Sequence, residues 1–254
     1  MKHLALLAML LTTQDAPKPL RALLVIGGCC HDYKKQKDVL QSGLQERVPG
    51  LQVVVAYDPD TTTTHLNPVY EKDDWAKGFD LVIHDECSSD VKDPAVIDRI
   101  LAPHKAGLPA VLLHCAMHSY RGPEYPKATA WFAFTGLATT THGPELPIQI
   151  TYVDREHPIT KGLEDWTTVN EELYNNSQGT LHETARALAK GRQSYTGKGG
   201  KERVDEAVVV WTNLYEGKTR VFATTLGHNT PTVADPRYLD LVARGLRWAL
   251  DVTR

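Results

Sequence analysis

The sequence predicts an α/β protein built on a mainly parallel, doubly wound sheet, finished by a C-terminal β-hairpin and a closing helix. Three observations carry this. Apolar runs of strand length alternate with segments of helical apolar spacing through the first half. Several of these runs end in glycine, histidine or cysteine. The connections between them are long enough for the helical crossovers that parallel neighbours need.

"RALLVIGG" is the first strand, a buried apolar run entering a tight turn at Gly27 and Gly28. Val39, Leu40, Leu44 and Val48 then recur at helical spacing until Pro49 and Gly50 stop them. "LQVVVAYD" is a second strand, followed by a loop with threonines at Thr61 to Thr64. "FDLVIHDE" is a third; Pro94 opens a helix through Val96, Ile97, Ile100 and Leu101 that ends at Gly107. "LPAVLLH" is the fourth strand. Beyond Ala128 the pattern predicts a short helix in "ATAWFAFTGL", a strand in "LPIQITYVD" and a loop in "HPITKGLEDW". The stretch from Asp205 to His228 predicts two strands turning at Glu216, Gly217 and Lys218, and Leu239, Val242, Ala243, Leu246 and Leu250 mark the closing helix. The polar, glycine-rich segment Lys190 to Glu206 is read as a mobile excursion.

The 254 residues show no internal repeat and suit one domain, taken as 20–254, behind an N-terminal segment 1–19. Hydrophobic residues at 42% and charged residues at 23% are those of an ordinary globular chain. A formal charge of -3 argues against a nucleic-acid surface, which needs a basic face. Residues 1–19, "MKHLALLAMLLTTQDAPKP", have the cationic start, short apolar run and polar exit of a signal peptide. Export to the periplasm or the medium is expected; a cytoplasmic chain with a frayed N-terminus is the alternative. No later run approaches the roughly 20 apolar residues of a membrane helix.

In an open parallel sheet, ligands bind beyond the carboxyl ends of the strands, where the strand order reverses. The first strand ends in "GGCCHDY", the third in "HDEC" and the fourth in "LLHCAMH". In a flavodoxin-like order these ends share one rim, which gathers Cys29, Cys30, Cys87 and Cys115 with His31, Glu86, His114 and His118. His84 and His142 read instead as hydrogen-bonded structural residues.

The motifs "GGCCH", "LLHCA", "HPITKGL", "EELY" and "FATTLGHN", in this order and spacing from about Arg21 to the C-terminal helix, resemble the ThuA-like trehalose-utilisation family. That resemblance implies a fold similar to class I glutamine amidotransferases, in which a cysteine stands on the sharp turn after this strand. Here the turn position carries His114, and the later histidine matches His228. Cys115 lies one residue further, facing the other way, so glutaminase chemistry is not expected and Cys115 reads as a small packed residue. The family pattern has Asp then Glu where this chain has Glu171 and Glu172; the Glu172 match survives and Glu171 departs.

The resemblance also implies a small-molecule carbohydrate, a trehalose-type disaccharide or its 3-keto derivative. A keto group acidifies the neighbouring C–H, so a histidine base can remove that proton while a second acid protonates the leaving sugar oxygen. His114 is assigned the base, His228 and Glu172 its partners, and His31 the polarising of a carbonyl. His118, Arg121 and Tyr174 are assigned to sugar hydroxyls. His157 and Asn229 read as residues that order their loops.

Two alternatives stand beside this. His114 and His118 are four apart and, with His31 or His228, would make a trio for a divalent metal such as zinc, although the pattern lacks the intervening glutamate of a zinc-peptidase helix. A non-catalytic sugar-binding module would stack Trp131, Trp166 or Trp211 on sugar rings. In an oxidising compartment Cys30 and Cys87 are the pair expected to form a disulfide. A homo-oligomer is left open.

Overall fold

The computed structural model describes residues 19–127, 129–177, 181–197 and 199–252. The expected signal peptide lies outside the described residues. No described helix is long and apolar enough to cross a membrane.

The parallel unit follows the predicted order. Strand β1 (Leu20–Gly28), helix α1 (Tyr33–Arg47), β2 (Leu51–Asp58), β3 (Leu81–Cys87), α2 (Pro94–Lys105) and β4 (Ala110–Leu113) alternate along the chain. After a short helix α3 (Ala130–Thr135), the chain runs through β5 (His142–Tyr152), β6 (Trp166–Tyr174), β7 (Ala185–Thr196), β8 (Glu202–Tyr215) and β9 (Thr219–Thr224). It closes with α4 (Thr230–Val233) and α5 (Pro236–Ala249). One nine-stranded sheet results, ordered β2-β1-β3-β4-β9-β8-β7-β5-β6. Its β2-β1-β3-β4-β9 half is parallel, the flavodoxin-like order, and the rest is antiparallel.

Strand alternation explains the two layers. On β1, Ala22, Leu24 and Ile26 face the core under α1 and α5, while Leu23 and Val25 face the core under α2 and α3. Leu239, Val242 and Leu246 of α5 lie in the first core, and Ile97, Ile100 and Leu101 of α2 in the second. Each layer is a continuous apolar cluster, as a sheet covered on both faces requires.

Segment Lys190–Glu206 is not the predicted excursion. It is the tip of the β7–β8 hairpin, paired from Lys190↔Val208 out to Thr196↔Glu202. Its buried positions on β7 are Gly191 and Gln193 between exposed Lys190, Arg192 and Ser194, so the alternation of a strand is present without its hydrophobic signal. Gly191 is required there, because a Cβ would stand 2.6 Å from Ile148 Cγ2 and 2.8 Å from Val209 Cγ1.

A buried polar chain ties β3 to α2. His104 Nδ1 donates to the Leu108 carbonyl at 2.7 Å, which leaves its Nε2 to accept from His84 Nε2 at 3.0 Å. His84 Nδ1 in turn lies 2.9 Å from Glu86 Oε1. The Tyr70 and Tyr120 hydroxyls donate to the same oxygen at 2.7 and 2.8 Å. His84 is thus the structural residue the sequence predicts, while Glu86 points away from the expected rim site. Burial pushes His104 down to about 3, assisted by the neighbouring His84, in keeping with its neutral role.

Burial works to raise the Glu86 carboxyl, but His84 and the two phenols outweigh it and hold it below its ordinary value of 4.5. A depressed carboxylate contributes stability that is complete above the unfolded value and is lost as pH falls through the folded one. Glu86→Gln removes the carboxylate on which Tyr70, Tyr120 and His84 converge and should destabilise the fold by about 1–3 kcal/mol at pH 7. Denaturant titration should show the gap to wild type shrinking below about pH 4.5.

Candidate functional site

Three backbone devices build the rim. At the end of β1 the chain turns through Gly27 and Gly28, both at positive φ, and then Cys30 at φ 82°. A Cβ on Gly28 would lie 2.3 Å from the Cys87 carbonyl oxygen, so only glycine lets β1 and β3 approach and swing His31 over the sheet. At the end of β4, His114 takes φ 39°, a conformation unfavourable for a non-glycine residue, and begins a 3-10 turn through His118. Beyond β9, the loop at Gly227 and His228 receives Gln36 of α1, whose Nε2 donates to both carbonyls at 3.3 and 3.0 Å.

These devices bring His31, His114 and His228 together: one ring nitrogen from each lies within 4.8 Å of the others. His114 Nδ1 donates to the Thr225 carbonyl at 2.6 Å, which fixes the tautomer and leaves Nε2 as the acceptor. There Nε2 takes the Tyr174 hydroxyl at 3.1 Å and lies 3.6 Å from Glu172 Oε2. His228 sits between carboxylates, Nδ1 3.3 Å from Glu172 Oε2 and Nε2 3.4 Å from Glu145 Oε1. Both ring nitrogens of His31 are buried without a hydrogen-bond partner.

Burial and repulsion keep two imidazoles neutral and favour charge on the third. Burial, with His228 next to it, lowers His31 to about 4. Burial, then His31, pushes His114 well below its ordinary value. Burial also acts to lower His228, but the Glu172 carboxylate overcomes it and raises the imidazole. Glu172 in turn is held below its ordinary value, since His228 outweighs the burial that would raise it.

The remaining assigned residues line the same cavity of about 420 Å³. His118 stacks on the Tyr174 ring at 3.9 Å and its Nε2 meets Thr139 Oγ1 at 3.1 Å. Because the turn is 3-10 rather than α, positions four apart are rotated by about a third of a turn, so His118 does not join His114 in a ligand trio. Arg121 Nε donates to the His118 carbonyl at 3.1 Å and its guanidinium covers Tyr125. Trp131 and Trp211 are fully buried and Trp166 nearly so, which removes all three as sugar platforms. His157 and Asn229 order their own loops, through Ile159 N–H to Nδ1 at 3.2 Å and Nδ2 to the Asn170 carbonyl at 2.7 Å.

Sequence reasoning missed two residues of the site. His142 is no remote structural histidine: it opens β5 opposite Tyr174, with Nε2 3.4 Å from Glu172 Oε1. Glu171, one residue from Glu172 and pointing to the other side, accepts the backbone N–H groups of Gly227, His228 and Asn229 at 3.3, 3.1 and 3.1 Å. Its departure from the family pattern thus falls on the residue that positions the His228 loop. Burial raises the Glu171 carboxyl against those three donors.

The cysteines also pair otherwise than expected. Cys30 does not reach Cys87: Gly28 is the residue opposite Cys87 in the β1–β3 register, so Cys29 is the nearer neighbour and Cys30 lies exposed beyond it. Cys29 is bonded to Cys30 and Cys87 to Cys115. Cys115 is buried, but disulfide-bonded and on the cavity wall rather than merely packed.

Among solved structures, a ThuA-like protein from Parabacteroides merdae matches with a TM-score of 0.66 at 20% identity, over 92% of this chain and 90% of that one. A ThuA-like protein from Bacteroides uniformis matches at 0.63 and 16%, over 93% and 94%. A GH42 β-galactosidase from G. stearothermophilus matches at 0.55 and 10%, over 92% of this chain and 30% of that larger one. These likenesses concern the fold. No curated protein matches the chain. The family model described as trehalose utilisation matches residues 21–249, and the chain belongs to that family, ThuA.

Proposed function

We propose that the chain is an enzyme that acts on trehalose-type disaccharides or their 3-keto derivatives by proton transfer, with His114 as the base. The observation that carries this is the His114 Nδ1–H bond to the Thr225 carbonyl, which leaves Nε2 as a neutral acceptor beside Tyr174 and Glu172 of the cavity wall. Membership of a trehalose-utilisation family supports a carbohydrate substrate. A second cavity of about 620 Å³ shares Thr141, His142 and Tyr174 with the first, and the adjoining pair offers room for a disaccharide.

In this reading the Tyr174 hydroxyl turns its proton to a sugar oxygen and frees Nε2. Nε2 takes the proton from the carbon beside the keto group, and the negative charge moves to the carbonyl oxygen, where neutral His31 donates an N–H. The C–O bond to the leaving sugar breaks, and His228, held as the acid by Glu172, gives its proton to that oxygen. His118 braces Tyr174 by stacking, and Arg121 keeps guanidinium donors for hydroxyls.

A divalent metal on His31, His114 and His228 is the second reading. The unpartnered His31 nitrogens and the backbone bond of His114 Nδ1 suit such a trio, in which a ligating histidine donates its other N–H to a carbonyl. A cation held there would polarise a sugar oxygen.

His114→Ala should lower turnover of a 3-keto disaccharide by about 10²–10⁴-fold, while calorimetry still shows sugar binding; unchanged turnover would dispose of the base assignment. Dialysis against a chelator, with elemental analysis before and after, should leave turnover intact. Loss of turnover restored by a divalent cation would transfer the trio to the metal reading.

A further inference from the structure

We propose that the four cysteines form a thiol–disulfide exchange chain leading from the exposed rim to Cys115 on the floor of the site, and that it is served by a dithiol reductant. The sulfurs sit at the carboxyl ends of three neighbouring strands. Cys29 is bonded to Cys30 and Cys87 to Cys115, and the Cys29 and Cys87 Sγ atoms touch at 3.4 Å across the two bonds. The Cys29 N–H donates to the Cys87 carbonyl at 3.3 Å, which holds that contact in place through the main chain. Cys30 is exposed, whereas Cys29, Cys87 and Cys115 are 7%, 4% and 4% accessible.

A bond between adjacent residues closes only the small ring of their own atoms, so Cys29–Cys30 contributes little of the unfolded-chain restriction by which disulfides stabilise a fold. Its position suits exchange instead. The thiolate of a dithiol attacks Cys30 Sγ; the Cys29–Cys30 bond breaks and Cys29 leaves as a thiolate. The second thiol of the reductant then releases Cys30 as a thiol and departs as a cyclic disulfide. The Cys29 thiolate attacks Cys87 Sγ across the existing contact, the Cys29–Cys87 bond forms, the Cys87–Cys115 bond breaks, and Cys115 leaves and takes up a proton. Two electrons have entered at Cys30, and the new thiols are Cys30 and Cys115. Cys115 Sγ, Cys87 Sγ and a His31 nitrogen all lie within 4.8 Å of one another, so the new thiol faces the imidazoles of the site.

The test is peptide mapping of the intact folded chain. After one equivalent of dithiothreitol, acid quenching and maleimide labelling, Cys30 and Cys115 should carry label in the same molecules, with Cys29 linked to Cys87. Joint labelling of Cys29 with Cys30, joint labelling of Cys87 with Cys115, or no labelling would overturn the proposal. Cys30→Ser should by itself produce a Cys29–Cys87 bond and a free Cys115; a free Cys29 beside an intact Cys87–Cys115 bond would contradict it.

Discussion

The hydrogen bond from His114 Nδ1 to the Thr225 carbonyl is the constraint on which the site depends. It exists because β4 and β9 are parallel neighbours in the register Leu113↔Thr224, so the residues that follow each strand emerge side by side. The left-handed backbone at His114 turns the ring back over that junction. Everything else is arranged around the nitrogen that remains: Tyr174 and Glu172 from β6, His31 from the turn after β1, and His228 from the loop after β9.

That arrangement separates charge within a few ångströms. His31 and His114, buried against one another, are held neutral, while His228 draws its proton from the influence of Glu172. Glu171 keeps this pair in register by taking three N–H groups of the His228 loop, a role that acts through the backbone. A second buried pair, His84 with Glu86, lies within β3 and serves cohesion of the sheet. The two pairs separate two kinds of histidine. His31, His114 and His228 follow the last residues of β1, β4 and β9 and reach the rim, whereas His84 sits inside β3 with its side chain in the core.

The parallel half was legible because its strands are buried on both faces and its helices carry regular apolar spacing, as at Leu239, Val242 and Leu246. Convergence of His31 and His114 followed from the strand ends, whereas His228 entered only through the family resemblance. The antiparallel half was harder: β7 buries Gly191 and Gln193, so composition imitates a loop. With β5 and β6 not recognised as partners, His142 had no visible route to Glu172. The cysteine pairing turned on one residue of register, Gly28 opposite Cys87, that spacing does not encode.

The most direct test is nitrogen-15 NMR of the histidine side chains across pH. The account predicts that His114 is neutral at pH 7 with its proton on Nδ1, and that His228 titrates above its ordinary value of 6.5 while His114 titrates below it. A His114 carrying its proton on Nε2, or charged at pH 7, would contradict it.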